Sequence, residues 1–137
     1  MGSEMCIRDR NRVGSPSKET EEVIAKINGA KKGDFSTKEI TEILIFPMIN
    51  EAVKVLEENK AQRPSDIDVI WLFGYGWPKN KGGLMYYADT IGAKSILKSL
   101  QKLAEDDHEL VVSRLLIKMA QNDDKFLDIN TGGLIAT

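Results

Sequence analysis

The sequence predicts an all-α fold, and three observations carry that prediction. Apolar residues recur at the three- and four-residue spacing of helices in several segments of the 137-residue chain. Ser36 and Pro64 stand at positions typical of helix starts, and Gly74 at one typical of a helix end. No segment shows the sustained apolar–polar alternation of a β-strand. We therefore expect a single helical domain over residues 35–121.

The two ends of the chain differ in composition from this domain. Residues 1–34 are expected to be a leader and polar linker, with one short helix where Val23 and Ile27 fall four apart. Residues 1–10, which include the lone Cys6, lack the apolar core of a signal peptide and resemble a spurious leader left by sequencing adapters. Residues 122–137 are polar, then weakly apolar and glycine-rich, and are expected to form a tail.

The first long helix is predicted from Ser36 to about residue 59. Ser36 and Glu39 form a capping-box pattern, in which each side chain can accept from the backbone amide of the other residue. Pro47 lies inside this helix and lacks the amide that would donate to an earlier carbonyl, so a kink is expected there. Asn50 and Glu51 follow the kink, and we expect them to bond freed backbone groups or another helix rather than to act in catalysis.

Four shorter helices are predicted after it. They run over residues 64–74, 84–91, 93–105 and 109–121. Asp66 and Asp68 fall in the first turn of the 64–74 helix, two residues apart, so their side chains do not face each other. They are interpreted as negative charges that favour the helix N-terminus rather than as a catalytic pair.

The loop after the 64–74 helix allows two interpretations. Its glycines could let backbone amides approach a phosphate. However, a dinucleotide fingerprint needs three spaced glycines between a strand and a helix, and Lys79 stands where the third would be. The sequence favours a structural turn, with Trp77 and Pro78 packed on the helices. Aromatic residues concentrate around this loop, which is typical of a core or a docking interface: Trp71, Tyr75, Trp77, Tyr86 and Tyr87.

Composition argues against several classes of function. The formal net charge is -2, and the 19 basic and 21 acidic side chains are interspersed, so no basic stripe for nucleic acid is predicted. The apolar stretch around residues 43–49 is too short to span a bilayer. One histidine and one cysteine predict no metal site. His108, flanked by acidic residues, could be a general base, but an exposed cap residue is favoured because no partner nucleophile is evident.

Four motifs in order carry a family resemblance over about residues 36–120. They read Phe-Pro-Met-Ile-Asn-Glu-Ala over 46–52, Arg-Pro-Ser-Asp-Ile-Asp over 63–68, Gly-Tyr-Gly-Trp-Pro over 74–78 and Lys-Gly-Gly-Leu-Met-Tyr-Tyr-Ala-Asp-Thr-Ile-Gly over 81–92. The series resembles the C-terminal helical domain of 3-hydroxyacyl-CoA dehydrogenase, as found in bifunctional and trifunctional enzymes of fatty-acid β-oxidation.

The resemblance implies a parent protein with a hydratase/isomerase part, an NAD-binding Rossmann part and two helical repeats. The parent would oxidise L-3-hydroxyacyl-CoA to 3-ketoacyl-CoA with NAD. Its catalytic histidine, glutamate and serine would lie in the Rossmann part, and an asparagine in the first repeat, in the pattern Asn-Arg-x-x-x-Pro. When that proline is aligned with Pro47, Glu42 and Ile43 take the asparagine and arginine positions, a departure that resembles the second repeat.

The resemblance therefore implies a non-catalytic scaffold that packs on the first helical repeat and the Rossmann domain. It would meet acyl-CoA only indirectly and hold no cofactor, while NAD would bind elsewhere in the parent. A free-standing acyl-CoA-binding or protein-interaction module is the alternative, and whether the chain alone is an enzyme stays open. A cytoplasmic, bacterial-type location is expected, since the last three residues do not match Ser-Lys-Leu. The expected structural and interface residues are Pro47, Asn50, Glu51, Trp71, Gly74, Tyr75, Gly76, Trp77, Pro78, Gly82, Gly83 and Tyr86.

Overall fold

A computed structural model describes residues 17–28 and 34–129 of the chain. Those residues form six α-helices and no strand, which confirms the all-α prediction. The helices are α1 (Lys18–Asn28), α2 (Thr37–Glu57), α3 (Pro64–Gly74), α4 (Leu84–Ile91), α5 (Ala93–Asp106) and α6 (Arg114–Asn122), with short 3₁₀ turns at Lys79–Lys81 and Phe126–Asp128.

Chain contacts divide the protein into two compact units, residues 1–34 and residues 35–137. The first unit contains α1, which lies in the segment predicted to carry one short helix. The side chains from Ser17 to Ile27 are all exposed. The predicted leader, residues 1–10, and the end of the predicted tail, residues 130–137, lie outside the described residues.

Helix α2 begins with the predicted capping box. Ser36 Oγ accepts from the Glu39 amide at 3.2 Å, and the Glu39 carboxylate accepts from the Ser36 amide at 2.8 Å. The helix continues through Pro47 and ends at Glu57, just before Asn59 takes up a left-handed conformation with φ 55°. A bend at Pro47 stays a prediction. The C-terminal half of α2 supplies much of the buried core: Phe46, Ile49, Ala52, Val53 and Leu56.

Helix α3 also begins as predicted. Pro64 is its first residue, where the missing proline amide costs no hydrogen bond. The Asp66 carboxylate accepts from the Arg63 amide at 3.2 Å and pairs with the Arg63 guanidinium at 2.9 Å. The helix therefore carries a capping arrangement at its start, with charge favourable to its N-terminus.

The start of the last predicted helix, residue 109, was wrong. Helix α6 begins at Arg114, because Ser113 caps it and its Oγ accepts from the Leu116 amide at 3.3 Å. Residues 107–112 instead form a turn and a short extended segment, in which His108 is exposed and Val111 is 65% exposed. The apolar residues of this segment have helical spacing, which led to the prediction of a further helical turn. The residue that caps the helix, Ser113, follows them.

The core of the second unit lies around α2. Helices α4, α5 and α6 all contact α2, α5 also packs on α6, and α3 packs on α4. The segment predicted as a tail contributes one core residue, since Phe126 is fully buried in the 3₁₀ turn that packs against α4 and α3. Helix α2 packs on three neighbouring helices along its buried side. Its opposite side is exposed to solvent.

Candidate docking surface

The open side of α2 is apolar. Ile40, Leu44 and Met48 lie on successive turns and are 46%, 59% and 44% exposed. Helix α3 likewise exposes Ile70 and Phe73 to solvent. A helix that is hydrophobic on all sides is normally buried on all sides. The exposed faces of α2 and α3 therefore form an apolar surface of the second unit that lacks a cover.

Helices α5 and α6 show the opposite pattern. Each concentrates its apolar residues in one stripe, from which Ile96, Leu100, Leu116 and Met119 point into the core. Their outward positions are occupied mainly by lysine, serine, glutamine and other polar residues, and Ile117 of α6 is an exception at 37% exposure. This pattern is that of a helix with one face in water. The α5–α6 side of the domain is therefore mostly polar, in contrast to the α2–α3 side.

A groove runs between α2 and α3, with a volume of about 470 Å³. Glu51 is the one charged residue among those that line it, and its carboxylate is engaged by Lys54 on the same helix at 2.7 Å. The lining is otherwise apolar or aromatic: Pro47, Met48, Ala52, Val55, Ile67, Ile70, Trp71 and Tyr75. We call this groove, together with the exposed stripe of Ile40, Leu44 and Met48, the docking surface.

Aromatic rings form one edge of the docking surface. Trp71 stacks with Tyr75 at a centroid distance of 5.2 Å and meets the edge of Trp77 at 5.4 Å. Trp77 also contacts Tyr87 of α4 at 5.6 Å. Edge-to-face and offset pairs of this kind each contribute about 0.5–1.5 kcal/mol beyond the area they bury. The Trp77 amide donates to the Trp71 carbonyl at 3.1 Å, so the loop folds back on α3.

The structure places the other residues of this loop around the cluster. Gly74 ends α3, Gly76 has a positive φ of 69°, and Pro78 is exposed at the start of the 3₁₀ turn. Trp77 packs on α3 as predicted, through its contact with Trp71, whereas the packing of Pro78 on the helices stays a prediction. The Trp77 Nε1–H is buried and has no acceptor among the described residues.

Two adjacent glycines sit where a side chain would collide with a neighbour. Gly82 has a φ of 67°, and a Cβ there would overlap the half-exposed Tyr86 ring. At Gly83 the backbone is ordinary, but a Cβ would overlap the carboxyl group of Asp68. Close approach of chain segments, rather than phosphate binding, accounts for glycine at both positions.

Asp68 acts on a helix other than its own. Its two carboxylate oxygens accept from the amides of Met85 at 2.6 Å and Tyr86 at 3.2 Å, in the first turn of α4. Partial burial raises the pKa of Asp68, the two amide bonds oppose that rise, and the nearby charge of Asp89 adds to it. The sequence interpretation, a first-turn charge of α3, missed this contact. The sequence signal that could have indicated this contact was Gly83, because an N-cap residue without a side chain leaves the first amides of α4 to be bonded by another residue.

Asn50 ties α2 to the segment before α6. The fully buried side chain donates from Nδ2 to the Val111 carbonyl at 2.9 Å, and its Oδ1 accepts from the Ser113 amide at 2.9 Å. The Ser113 hydroxyl donates to Glu57 at 2.7 Å. These bonds satisfy buried polar groups that would otherwise cost free energy.

Glu42, the residue aligned with a catalytic asparagine, contacts α5. Its Oε2 accepts from the Ser99 hydroxyl at 3.0 Å. His108, for which the sequence favours an exposed position over a role as general base, is exposed in the turn after α5. Across residues 17–28 and 34–129 no group of three His, Cys, Asp or Glu side chains is arranged to hold a metal ion. The polar contacts at Glu42 and Asn50 thus join helices, and the distinctive surface of the domain is apolar.

Comparison with known proteins identifies a family that matches more than half of the chain. The profile of the family described as 3-hydroxyacyl-CoA dehydrogenase, C-terminal domain, matches residues 40–126. The chain is 49% identical over 67 residues to the peroxisomal bifunctional enzyme of Homo sapiens, covering 49% of the chain and 9% of that protein. It is 44% identical over 77 residues to the peroxisomal fatty acid beta-oxidation multifunctional protein of Oryza sativa subsp. japonica, covering 56% and 11%.

A third relative matches over a longer stretch. The glyoxysomal fatty acid beta-oxidation multifunctional protein MFP-a of Brassica napus is 38% identical over 101 residues, which covers 69% of the chain and 14% of that protein. The chain thus spans about a tenth of the length of the curated relatives that it matches.

Proposed function

The chain belongs to the 3-hydroxyacyl-CoA dehydrogenase C-terminal domain family, and from this premise we propose that it is a non-catalytic scaffold domain of a multifunctional β-oxidation enzyme. The observation that carries the proposal is the docking surface. Helices α2 and α3 are apolar on the sides that this chain leaves open, including Leu44 at 59% exposure. Covering such a surface removes apolar area from water, worth roughly 25 cal/mol for each Å² buried.

The partner we propose is the first helical repeat of the same polypeptide, with the Rossmann domain beyond it. An interface that holds parts of one protein together permanently is expected to be apolar at its centre and polar at its rim. The docking surface fits that description, because Glu51 is the one charge in the groove and it already has Lys54 as a partner. The polar α5–α6 side would face solvent.

The chemistry we propose for the parent is the oxidation of L-3-hydroxyacyl-CoA to 3-ketoacyl-CoA with NAD. In this proposal the NAD site and the catalytic base lie outside the present chain, and acyl-CoA is met only indirectly. Glu42 supports a non-catalytic role for the domain, because its carboxylate is engaged by the Ser99 hydroxyl of α5. The docking surface would hold the first repeat in place while that repeat takes part in hydride transfer.

The cytoplasmic location predicted above stays a proposal. The names of the relatives give peroxisomes or glyoxysomes as the location of those proteins. No helix within residues 17–28 and 34–129 combines the length and the hydrophobicity that a membrane span requires. Fractionation of the source cells, with an antibody against the domain, tests the location directly.

A reconstitution assay separates the scaffold from the alternative, a free-standing acyl-CoA-binding or protein-interaction module. The chain alone is expected to form no NADH from NAD and 3-hydroxyacyl-CoA. Added to a parent polypeptide that lacks its last repeat, it is expected to restore NADH formation. Turnover by the chain alone, or acyl-CoA binding by the chain without any effect on the shortened parent, contradicts the proposal.

A further inference from the structure

Two aspartates make the same contact at successive joints of the fold. Asp68 of α3 accepts from the amides of Met85 and Tyr86 in the first turn of α4. Asp89 of α4 accepts from the amides of Phe126 at 2.5 Å and Leu127 at 3.1 Å in the C-terminal 3₁₀ turn. One carboxylate thereby joins α3 to α4, and the other joins α4 to the C-terminal turn. Each of the two accepts hydrogen bonds from two consecutive backbone amides.

These two carboxylates stand in electrostatically unfavourable places. Asp89 lies in the last turn of α4, where a negative charge opposes the helix dipole. Asp68 is partly buried, and the charge of Asp89 is near enough to raise its pKa. Neither carboxylate has an ion-pair partner within the part of the chain that the structure describes. The charge-assisted bonds to backbone amides are what offset these costs.

The C-terminal turn also fills space beneath the two helices. Phe126 is fully buried, and the turn packs against both α4 and α3. Helix α3 in turn supplies one wall of the docking surface, through Ile67, Ile70 and Trp71. A change at the C-terminal turn can therefore reach the docking surface through a short, contiguous set of contacts.

We propose that Asp89 and Asp68 are positioning residues, which hold the α3 wall of the docking surface in place by fastening the C-terminal turn and α4 behind it. Docking would then depend on the C-terminal turn through the placement of α3. This inference rests on the proposed function only where it concerns the partner. The placement of α3 itself can be measured in the chain alone.

The chain offers a natural probe and a matched control. Trp71 and Trp77 are its two tryptophans, and both belong to the aromatic edge of the docking surface. Asp89→Asn keeps the shape of the side chain but replaces the charged carboxylate, which accepts both amide hydrogen bonds, with a neutral amide group. Asp128→Asn makes the same change at an exposed position within the C-terminal turn.

We expect Asp89→Asn to shift the tryptophan emission and to speed amide exchange at Met85 and Tyr86. The exchange rate should rise roughly tenfold, the change that corresponds to the loss of about one charge-assisted hydrogen bond. Asp128→Asn should leave both readouts unchanged. Faster exchange confined to Phe126 and Leu127, with unaltered emission, overturns the proposal, since Asp89 would then serve the turn alone. Should circular dichroism show that Asp89→Asn is unfolded, Asp89→Glu, which retains the charge but displaces it, serves for the same readouts.

A binding measurement extends the test to the partner. In Asp89→Asn, the affinity of the chain for the parent polypeptide without its last repeat should fall roughly tenfold, the change expected from the loss of one such hydrogen bond. In Asp128→Asn, this affinity should stay unchanged. Equal affinities of the wild type and Asp89→Asn overturn the positioning role and leave the proposed function standing. No binding by the wild type, together with the expected shift in tryptophan emission, overturns the proposed function alone.

Discussion

The carboxyl group of Asp68 occupies the space beside Gly83 that any side chain at position 83 would need. Asp68 comes from α3, and Gly83 is the N-cap of α4, so at this point only the Asp68 side chain lies between the two helices. The absent Cβ lets a carboxylate from one helix reach the first amides of the next. Glycine at position 83 is thus required by close packing.

Gly83→Ala should destabilise the chain by about 1–3 kcal/mol, because the added methyl group overpacks a contact that cannot relax without moving Asp68. Gly74→Ala is the matched control. A methyl group there meets only Ile70, at an ordinary 3.9 Å, and should be neutral or stabilise by about 0.4–1 kcal/mol. Urea unfolding of both variants measures the difference. Equal effects of the two substitutions would show that Asp68 does not constrain position 83.

Asn50→Ala should lower the free energy of unfolding by about 2–4 kcal/mol. The substitution removes both side-chain bonds and leaves the Ser113 amide and the Val111 carbonyl without that partner. Asn80→Ala, in the exposed 3₁₀ turn, should change stability by less than about 0.5 kcal/mol. If the two variants unfold at the same urea concentration, the buried bonds of Asn50 contribute nothing to stability.

Phe126→Ala should cost about 3–5 kcal/mol, since it empties a fully buried aromatic site. Leu127 follows it in the chain and is 41% exposed. Leu127→Ala should therefore cost less, below about 1 kcal/mol, because less of its side chain is taken from water. Thermal unfolding of the two variants checks the order. A tolerated Phe126→Ala would mean that the turn is not part of the core.

Asp68 makes a testable contribution to the pH dependence of stability. Burial raises its pKa above the usual value of 3.8, so the folded chain holds this proton more tightly than the unfolded chain does. The stability contributed by protonation is fully present below the unfolded pKa and is lost as pH rises through the folded pKa. Relative to Asp68→Asn, the wild type should therefore gain stability as the solution is acidified from neutral pH.

Urea unfolding of both chains at a series of pH values measures this difference. Comparison with Asp68→Asn removes the contribution of groups that titrate in both chains, such as Glu39, whose pKa is lowered by its bonds to Ser36. A wild type that loses stability relative to Asp68→Asn on acidification would show that the amide bonds outweigh burial.

Much of the fold could be predicted because its signals are local. The Ser36–Glu39 capping box and Pro64 mark the helix starts that the structure shows. The start of α6 was misplaced because Leu110 and Val111 continue the helical spacing, although the capping residue is Ser113. Local pattern alone cannot distinguish an apolar residue in a helix from one in an extended segment just before it.

The tertiary contacts could not be read from the sequence. Asn50 and Ser113 are 63 residues apart, and Asp89 lies 37 residues before Phe126. Phe126 and Leu127 stand together in a mostly polar segment that is too short to give a periodic signal of burial. The aromatic concentration around Trp71 and Trp77 was visible in the sequence, because those residues cluster along the chain as well as in space. That the apolar sides of α2 and α3 lie open became apparent only from the exposure of their residues.

The affinity of this chain for the parent polypeptide without its last repeat tests the central claim most directly. Calorimetric titration should compare the wild type with Leu44→Lys, in the middle of the exposed stripe of the docking surface, and with Val111→Lys, at a comparably exposed apolar site before α6. We predict that Leu44→Lys weakens binding at least roughly tenfold, the size of an interface hot spot, and that Val111→Lys leaves it unchanged. Absence of binding by the wild type, or equal loss in both variants, would contradict the assignment of the α2–α3 side as the docking surface.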